Sequence, residues 1–472
     1  MTASPSLPET EEQILPTGNS TPAAPEMGRL HSTALRATVW TMMSYGASQV
    51  LRVISSLVLT RLLVPEYFGL MILVSTLIQG MSLLTDIGIS PSIIQNRRGD
   101  DPAFLNTAWT LQVLRGVSLY LVALLLSWPL AHIYHQPVLL KVLPVLALNV
   151  LIGGFNSTNL LSMNRHMGVR RLFFIDFGTQ LLALVVTISW AWIHPSIWAL
   201  VSGSIISTLF RLITSHISRL IPGIRNTFRW EKESLHSLIH FGRWILLGTA
   251  LYFFASQADN LIMGKLITLT LLGIYGVAYQ ISDIPRQVIN SFCQKVGYPF
   301  ISKMAHLPLP EFRQSFLRYR FYVLLCGAAL LSFVVIWGGF ITTHIYDHRY
   351  HEAGWMIPLL ALGLWHTLLY ATMNPALYAI GESRYMAAGN AFYCLFGIIG
   401  IPIAFHYFGM FGAVIVVAAG DFPLYVASEY GAVRKGVGTL WQDTQMTGAF
   451  LVMLAAELLL KRAFTGHFYI HT

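Results

Sequence analysis

Residues 320–341 read RFYVLLCGAALLSFVVIWGGFI, one arginine followed by 21 residues without a charge. A helix rises about 1.5 Å per residue, so this run is about 30 Å long, the thickness of a bilayer's hydrocarbon core. Similar runs lie on both sides of it. They cover roughly 37–62, 68–92, 105–128, 142–163, 172–193 and 196–217, then 243–264, 271–298, 320–341, 355–379, 386–406 and 410–430. The sequence therefore predicts an all-α polytopic membrane protein of about twelve transmembrane helices. A weaker stretch at 444–460 would raise the count to thirteen or fourteen. Lys461 and Arg462 argue against it, because they would emerge on the outer side.

Composition agrees. The chain is 55% hydrophobic and only 11% charged, against about 25% charge in an ordinary soluble domain. A water-exposed surface cannot be built from so few charges, which excludes most soluble-enzyme readings. The net charge of +9 comes without a basic tract, so it reads as loop bias and not as a nucleic-acid footprint. Cys293, Cys326 and Cys394 lie inside apolar runs and carry no redox information.

Residues 1–35 differ, with five prolines, scattered Ser and Thr, and an acidic start, and read as a disordered cytoplasmic tail. With the N-terminus inside, 19 of the 30 Lys and Arg residues fall on inner loops and six on outer ones. That bias fixes the expected orientation. The domain plan is an N-terminal lobe at 36–217, a cytoplasmic connector at 218–242, a C-terminal lobe at 243–430 and a C-terminal segment at 431–472.

The two lobes are related by an internal repeat. At a shift of 204 residues Trp40 falls on Trp244, Arg61-Leu62-Leu63 on Lys265-Leu266-Ile267, and Phe68-Gly69-Leu70 on Leu272-Gly273-Ile274. Six spans per half is an even number, so the repeat is parallel, about an axis along the membrane normal. Polar residues three or four apart share a helix face. One stripe holds Thr41, Tyr45, Ser48, Arg52 and Ser55, matched by Thr249, Tyr252, Ser256 and Asp259. Another holds Ser75, Gln79, Ser82 and Asp86, matched by Tyr279, Asp283, Arg286 and Asn290. Polar faces on the first, second, seventh and eighth spans point to a shared cavity between the halves.

Arg52, Arg115, Arg286, Asp86, Asp176, Asp259, Asp283 and Asp421 all fall within spans. Facing lipid, eight such charges would cost on the order of 20–30 kcal/mol, so they pair or face water. Arg52, Arg115 and Arg286 are candidates to line the cavity, with structural pairing as the alternative. Asp86, Asp259 and Asp283 are charge partners or ion-coupling groups. Asp176 is expected to pair with Arg170 or Arg171, Arg211 to snorkel to the interface, and Asp421 to satisfy a helix break. His344, His348 and His351 with Asp347 and Glu352 lack tight zinc spacing and read as a solvated outer loop. No Walker-type loop, metal or cofactor motif is present in the sequence.

The segments Leu62-Leu63-Val64-Pro65-Glu66-Tyr67-Phe68-Gly69, Asp86-Ile87-Gly88-Ile89-Ser90-Pro91-Ser92-Ile93-Ile94-Gln95, and Phe241-Gly242-Arg243-Trp244 through Ala258-Asp259-Asn260-Leu261-Ile262-Met263-Gly264-Lys265 occur in that order. Here the chain, over about 36–443, resembles the polysaccharide and oligosaccharide flippases of the multidrug/oligosaccharidyl-lipid/polysaccharide exporter superfamily. The resemblance implies two six-helix lobes around a cation-lined cavity in a bacterial inner membrane. The cargo it implies is an undecaprenyl-pyrophosphate-linked oligosaccharide, carried by alternating access for exopolysaccharide or O-antigen synthesis. Polysaccharide polymerase and export machinery would be partners. The cationic role would fall on Arg52, Arg115 and Arg286, with Ser256 and Gln79 beside them. A cation-coupled multidrug antiporter of the same fold is the alternative, since deep acids equal deep cations. A membrane-embedded polymerase or glycosyltransferase is a second one, disfavoured because the outer loops are too short to build an acid–base site.

Overall fold

In this computed structural model, residues 24–465 are described, apart from 167, 218–222, 305, 306, 381 and 383. All regular elements among them are helical. The first half comprises α1 (Ala24–Leu62), α2 (Pro65–Leu83), α3 (Ile89–Gln95), α4 (Pro102–Ile133), α5 (Leu139–Gly154), α6 (Asn159–Arg165), α7 (Val169–Ile193) and α8 (Ile197–His216). The second comprises α9 (Lys232–Leu266), α10 (Leu269–Ser282), α11 (Ile284–Phe292), α12 (Tyr298–Met304), α13 (Leu309–His344), α14 (Ala353–Ala379), α15 (Arg384–Ala419) and α16 (Phe422–Arg434), followed by α17 (Leu440–Thr465). A π-helical turn, Cys293–Gly297, joins α11 to α12.

Helix starts follow local chemistry. Asp101 caps α4 by accepting from the Ala103 amide at 2.9 Å, with Pro102 in the first turn, where its missing N–H costs nothing. Thr268 caps α10 through the Leu271 amide. The outward faces are apolar: Leu125, Trp192 and Val452 are 76%, 77% and 68% exposed. In water such faces would aggregate, so lipid is the solvent and the chain is a multi-pass membrane protein.

Seven helices among the described residues are long and apolar enough to cross a bilayer, or up to nine if each bent pair is one span. Several of the twelve expected runs are not single straight helices, for local reasons. The stretch at 271–298 breaks at Asp283, because Pro285 cannot donate to the helix and clashes with the preceding turn. The stretch at 68–92 breaks ahead of Gly88, which adopts φ +64°. The stretch at 142–163 bends by 63° between α5 and α6. Residues 384–434 form a hairpin: Gly409 takes φ +59°, and Gly389 and Tyr385 on one arm meet Leu424 and Gly431 on the other. At the other end, α1 begins at Ala24, inside the stretch expected to be a disordered tail; residues 1–23 lie outside the described residues.

The halves repeat the same neighbours. α4 packs on α5 as α13 does on α14, α7 on α8 as α15 on α16, α1 on α7 as α9 on α15, and α5 on α8 as α14 on α16. Across the seam α2 and α10 meet at their closest point through Gly69 and Gly273. A Cβ on Gly69 would lie 1.9 Å from the Leu269 carbonyl oxygen, and one on Gly273 2.0 Å from that of Pro65. Both pairs are related by the 204-residue shift.

α17 has no counterpart in the first half. It packs parallel to α13. Gln442 donates to the Leu317 carbonyl, Arg320 pairs with Asp443, Ser332 donates to Glu457, and Lys461 donates to the Ile336 carbonyl. The C-terminal stretch therefore runs at the depth of a helix that qualifies as a span. Lys461 is fully buried against a backbone carbonyl, where a free cation at an outer interface was expected.

Candidate functional site

The centre of the seam is polar and follows the repeat. Thr249 on α9 donates to the Leu83 carbonyl of α2 at 2.8 Å. At the positions related by the 204 shift, Tyr45 on α1 donates to Gln287 Oε1 of α11 at 3.3 Å. Gln49, one turn along, donates to the same oxygen at 2.8 Å. Gln287 passes the contact inward by donating to Asp283 Oδ2 at 2.7 Å. Asp283 also takes the Arg286 guanidinium. The break before Pro285 makes this possible, since it sets Asp283 at the start of α11 with Arg286 and Gln287 one turn on.

Arg286 donates to the Tyr279 hydroxyl at 3.1 Å and lies 5.9 Å from that ring's centroid. Around it stand two further acids. Asp259 accepts from Tyr275 at 3.2 Å, and Asp421, at the start of α16, accepts from Thr367 of α14. Tyr370 and Tyr393 complete the group, within electrostatic range of Arg286. Three carboxylates thus face one guanidinium within the second half.

Arg52 is exposed and makes no hydrogen bond or ion pair with a described residue. Its direction follows from helix geometry. At 100° per residue it falls within the same narrow arc of α1 as Tyr45, Gln49 and Ser56. Tyr45 and Gln49 touch α11, and Ser56 accepts from Tyr346 of the second half at 3.3 Å. Arg52 therefore faces the seam, in its open part, one turn beyond Gln49. Gln79 is exposed as well, whereas its repeat partner Asp283 is buried.

Of the other expected site residues, Ser256 shares the arc of α9 that holds Thr249, and Arg115 lies elsewhere. Ser256 Oγ is buried with no partner among the described residues. Arg115 sits inside the first half and not at the seam. It donates to Thr85 Oγ1 at 3.3 Å and to the Ser82 carbonyl, and lies 3.8 Å from Asp86. It thereby satisfies the C-terminal end of α2, whose last carbonyls have no intrahelical partners. The 380 Å³ cavity around it also contains Asp86, Gln112, Asn156 and Arg211. Arg211, expected to snorkel, is 41% exposed and pairs with Asp176 at 2.9 Å, because α7 and α8 run antiparallel and bring the end of α8 beside Asp176. The expected partners Arg170 and Arg171 are exposed.

One end of the seam is closed by more than glycines. Arg61, at the end of α1, donates to the Ile345 carbonyl at 3.0 Å, and Arg349 returns a bond to the Arg61 carbonyl at 3.1 Å. Asp347 orients Arg349 at 2.7 Å, and that bond holds the Asp347 carboxyl down to about 2. At the opposite end Arg98 bridges Asp101 and Glu231 at 2.6 and 2.9 Å, tying the α3–α4 turn to the start of α9.

Gln49, Gln287, Thr367, Tyr370 and Tyr393 were not singled out in the sequence. Gln49 stands at i+4 from Tyr45 and could have been found on the stripe. The others carry no signal of their own, because their partners lie on distant helices.

Comparison with known proteins agrees with this architecture. Residues 58–353 match the family described as "Polysaccharide biosynthesis protein". The amylovoran biosynthesis protein AmsL of Erwinia amylovora is 24% identical over 54% of this chain and 66% of its own length. The lipopolysaccharide biosynthesis protein WzxC of Escherichia coli K12 is 22% identical over 67% of this chain and 63% of its own. The chain thus spans just under two-thirds of these relatives. Among solved structures, the lipid II flippase MurJ in an inward closed conformation superposes with a TM-score of 0.65 at 11% identity, covering 90% of this chain and 93% of that one. Since the family match extends over more than half of the chain, the protein belongs to this polysaccharide biosynthesis family.

Proposed function

We propose that this member of the polysaccharide biosynthesis protein family carries a lipid-pyrophosphate-linked oligosaccharide across the bacterial inner membrane by alternating access. It acts as a transporter and not as an enzyme. The observation that carries the reading is the seam itself. Two halves with repeated packing meet through glycines and reciprocal Arg–carbonyl bonds at one end, and through a chain of polar side chains in the middle. Such a seam can separate at one end while holding at the other. The relatives' names, amylovoran and lipopolysaccharide biosynthesis proteins, support a sugar-linked cargo.

The cargo head is a pyrophosphate with bulky polar sugars, and its undecaprenyl-type tail stays in lipid. Arg52, in the open part of the seam, and Arg286, beside it through Gln49 and Gln287, are the groups that would grip phosphate oxygens. Arg suits this because its planar fork keeps its charge when partly buried. Arg115 is a structural residue of the first half in this reading, and Gln79 a polar contact of the open face. The excess of Asp259, Asp283 and Asp421 over Arg286 favours a coupling cation in the second half. The two lobes are 36–217 and 243–430, the N-terminus is cytoplasmic, and polymerase and export proteins receive the product.

The test is polymer export in a deletion strain at matched membrane levels of variants. Losing one charged contact typically costs a few kcal/mol, on the order of a hundredfold in affinity. Arg52→Ala and Arg286→Ala should abolish export, and Arg→Lys should be milder. Full export by well-expressed Ala variants refutes the role.

A further inference from the structure

A large cavity lies away from the seam, between the two arms of the 384–434 hairpin. It is an open groove of about 1090 Å³. Its walls are apolar: Phe392, Leu395, Ile399 and Val426 are 60%, 55%, 55% and 48% exposed. α14 packs against both arms. At the end farthest from the Gly409 turn the character changes. Arg384 lies 5.0 Å over the Tyr385 ring and Arg434 4.9 Å over the Tyr430 ring, and the two rings meet edge-on at 6.2 Å. Stacking of this kind holds a guanidinium in place while leaving its N–H groups available. Glu382 is the nearby carboxylate, and it is shared between Arg384 at 2.9 Å and Lys435. Three cations against one acid leave this end positive.

We propose that this groove is a binding site for an anionic glycerophospholipid of the bilayer, its phosphate on Arg384 and Arg434 and an acyl chain along the hairpin. The charge is complementary at one end only, and the rest of the groove offers nothing but apolar surface, which is the pattern of a lipid standing in a leaflet. The same features disfavour the transported lipid. A head group that crosses the membrane needs polar partners along its path, and the groove has none beyond its basic end. Phe422 and Pro423 line the groove, whereas Asp421 and Arg286 do not. The occupant is therefore one that stays, bracing the hairpin against α14.

The experiment compares purified full-length protein with phosphatidylglycerol and with phosphatidylcholine, by native mass spectrometry and by thermal unfolding. Phosphatidylglycerol should remain bound and raise the melting temperature where phosphatidylcholine does not. A double Arg384→Ala, Arg434→Ala variant should lose about 30-fold in apparent affinity, which is about 2 kcal/mol, or about 1 kcal/mol per arginine, at tenfold per 1.4 kcal/mol. Val426→Trp, which fills the groove and leaves both arginines, should lose binding as well. Equal melting of parent and variants in phosphatidylcholine checks that they are folded. Three results would overturn the proposal: undiminished phosphatidylglycerol binding by both variants, equal stabilisation by phosphatidylcholine, or displacement of bound phosphatidylglycerol by an equimolar short polyprenyl pyrophosphate.

Discussion

Replacing Gly69 or Gly273 by alanine should open the end of the seam that these glycines close. A new Cβ at 69 would sit 1.9 Å from the Leu269 carbonyl oxygen, and at 273 2.0 Å from that of Pro65. Ordinary carbon–oxygen contacts lie near 3.3 Å or beyond. The helices must part by more than about an ångström locally, because both obstructing atoms are backbone and no side chain can rotate away. Overpacking of this kind costs about 1–3 kcal/mol. In a carrier that alternates between two states the cost falls on the closed one alone, so the equilibrium should move by about 5- to 150-fold. Thr76 is a suitable reporter, since it is 3% exposed and sits between α2 and α9 near Gln257. With Cys293, Cys326 and Cys394 replaced, Thr76→Cys should react slowly with an impermeant maleimide added to intact cells. Gly69→Ala or Gly273→Ala should accelerate that reaction at least fivefold. Rates equal to the parent, at matched protein level, would refute the idea that this contact is what holds the end shut.

Asp443→Ala should be among the most damaging single changes, because it strands the fully buried Arg320; breaking such a pair costs about 3–5 kcal/mol. Thermal unfolding in detergent would measure this, and Arg320→Met with Asp443→Leu should recover most of the loss. Asp347 is held down to about 2, chiefly by its bond from Arg349. A depressed carboxylate stabilises the fold above its ordinary range and loses that contribution as pH falls towards its folded value. The stability gap between the parent and Asp347→Asn should therefore close between about pH 4 and pH 2, as read by melting temperature. Finally, single cysteines at His135 and His348 should label from outside sealed cells, and cysteines at Arg97, Arg229 and Arg313 should not; labelling at 229 or 313 would overturn the expected orientation.

The seam was partly legible in the sequence because its symmetry is written as spacing. The shift of 204 predicted that Gly69 and Gly273 are equivalent, and the structure sets them face to face. The same shift relates Thr249–Leu83 to Tyr45–Gln287, although those side chains differ in chemistry. Arg115 shows the limit. Its depth in an apolar run was visible, but nothing in the run told that the end of α2, with its unsatisfied carbonyls, would be the partner. Arg211 and Asp176 were likewise each assigned a local solution, when the antiparallel packing of α7 and α8 supplied a mutual one.

What the sequence alone determined is the solvent and the repeat. Runs too apolar for water need a bilayer, and charges too costly for lipid need partners. Both follow from composition and periodicity, which are properties of single segments. What only the tertiary structure decided is which partners those charges find. Arg320 opens an apolar run with no partner visible in the sequence and is fully buried on Asp443 of α17; Lys461 looked like evidence against that helix and instead ties it to the Ile336 carbonyl. Pairing energy depends on the distance between groups more than a hundred residues apart, and that distance exists only once the helices have packed.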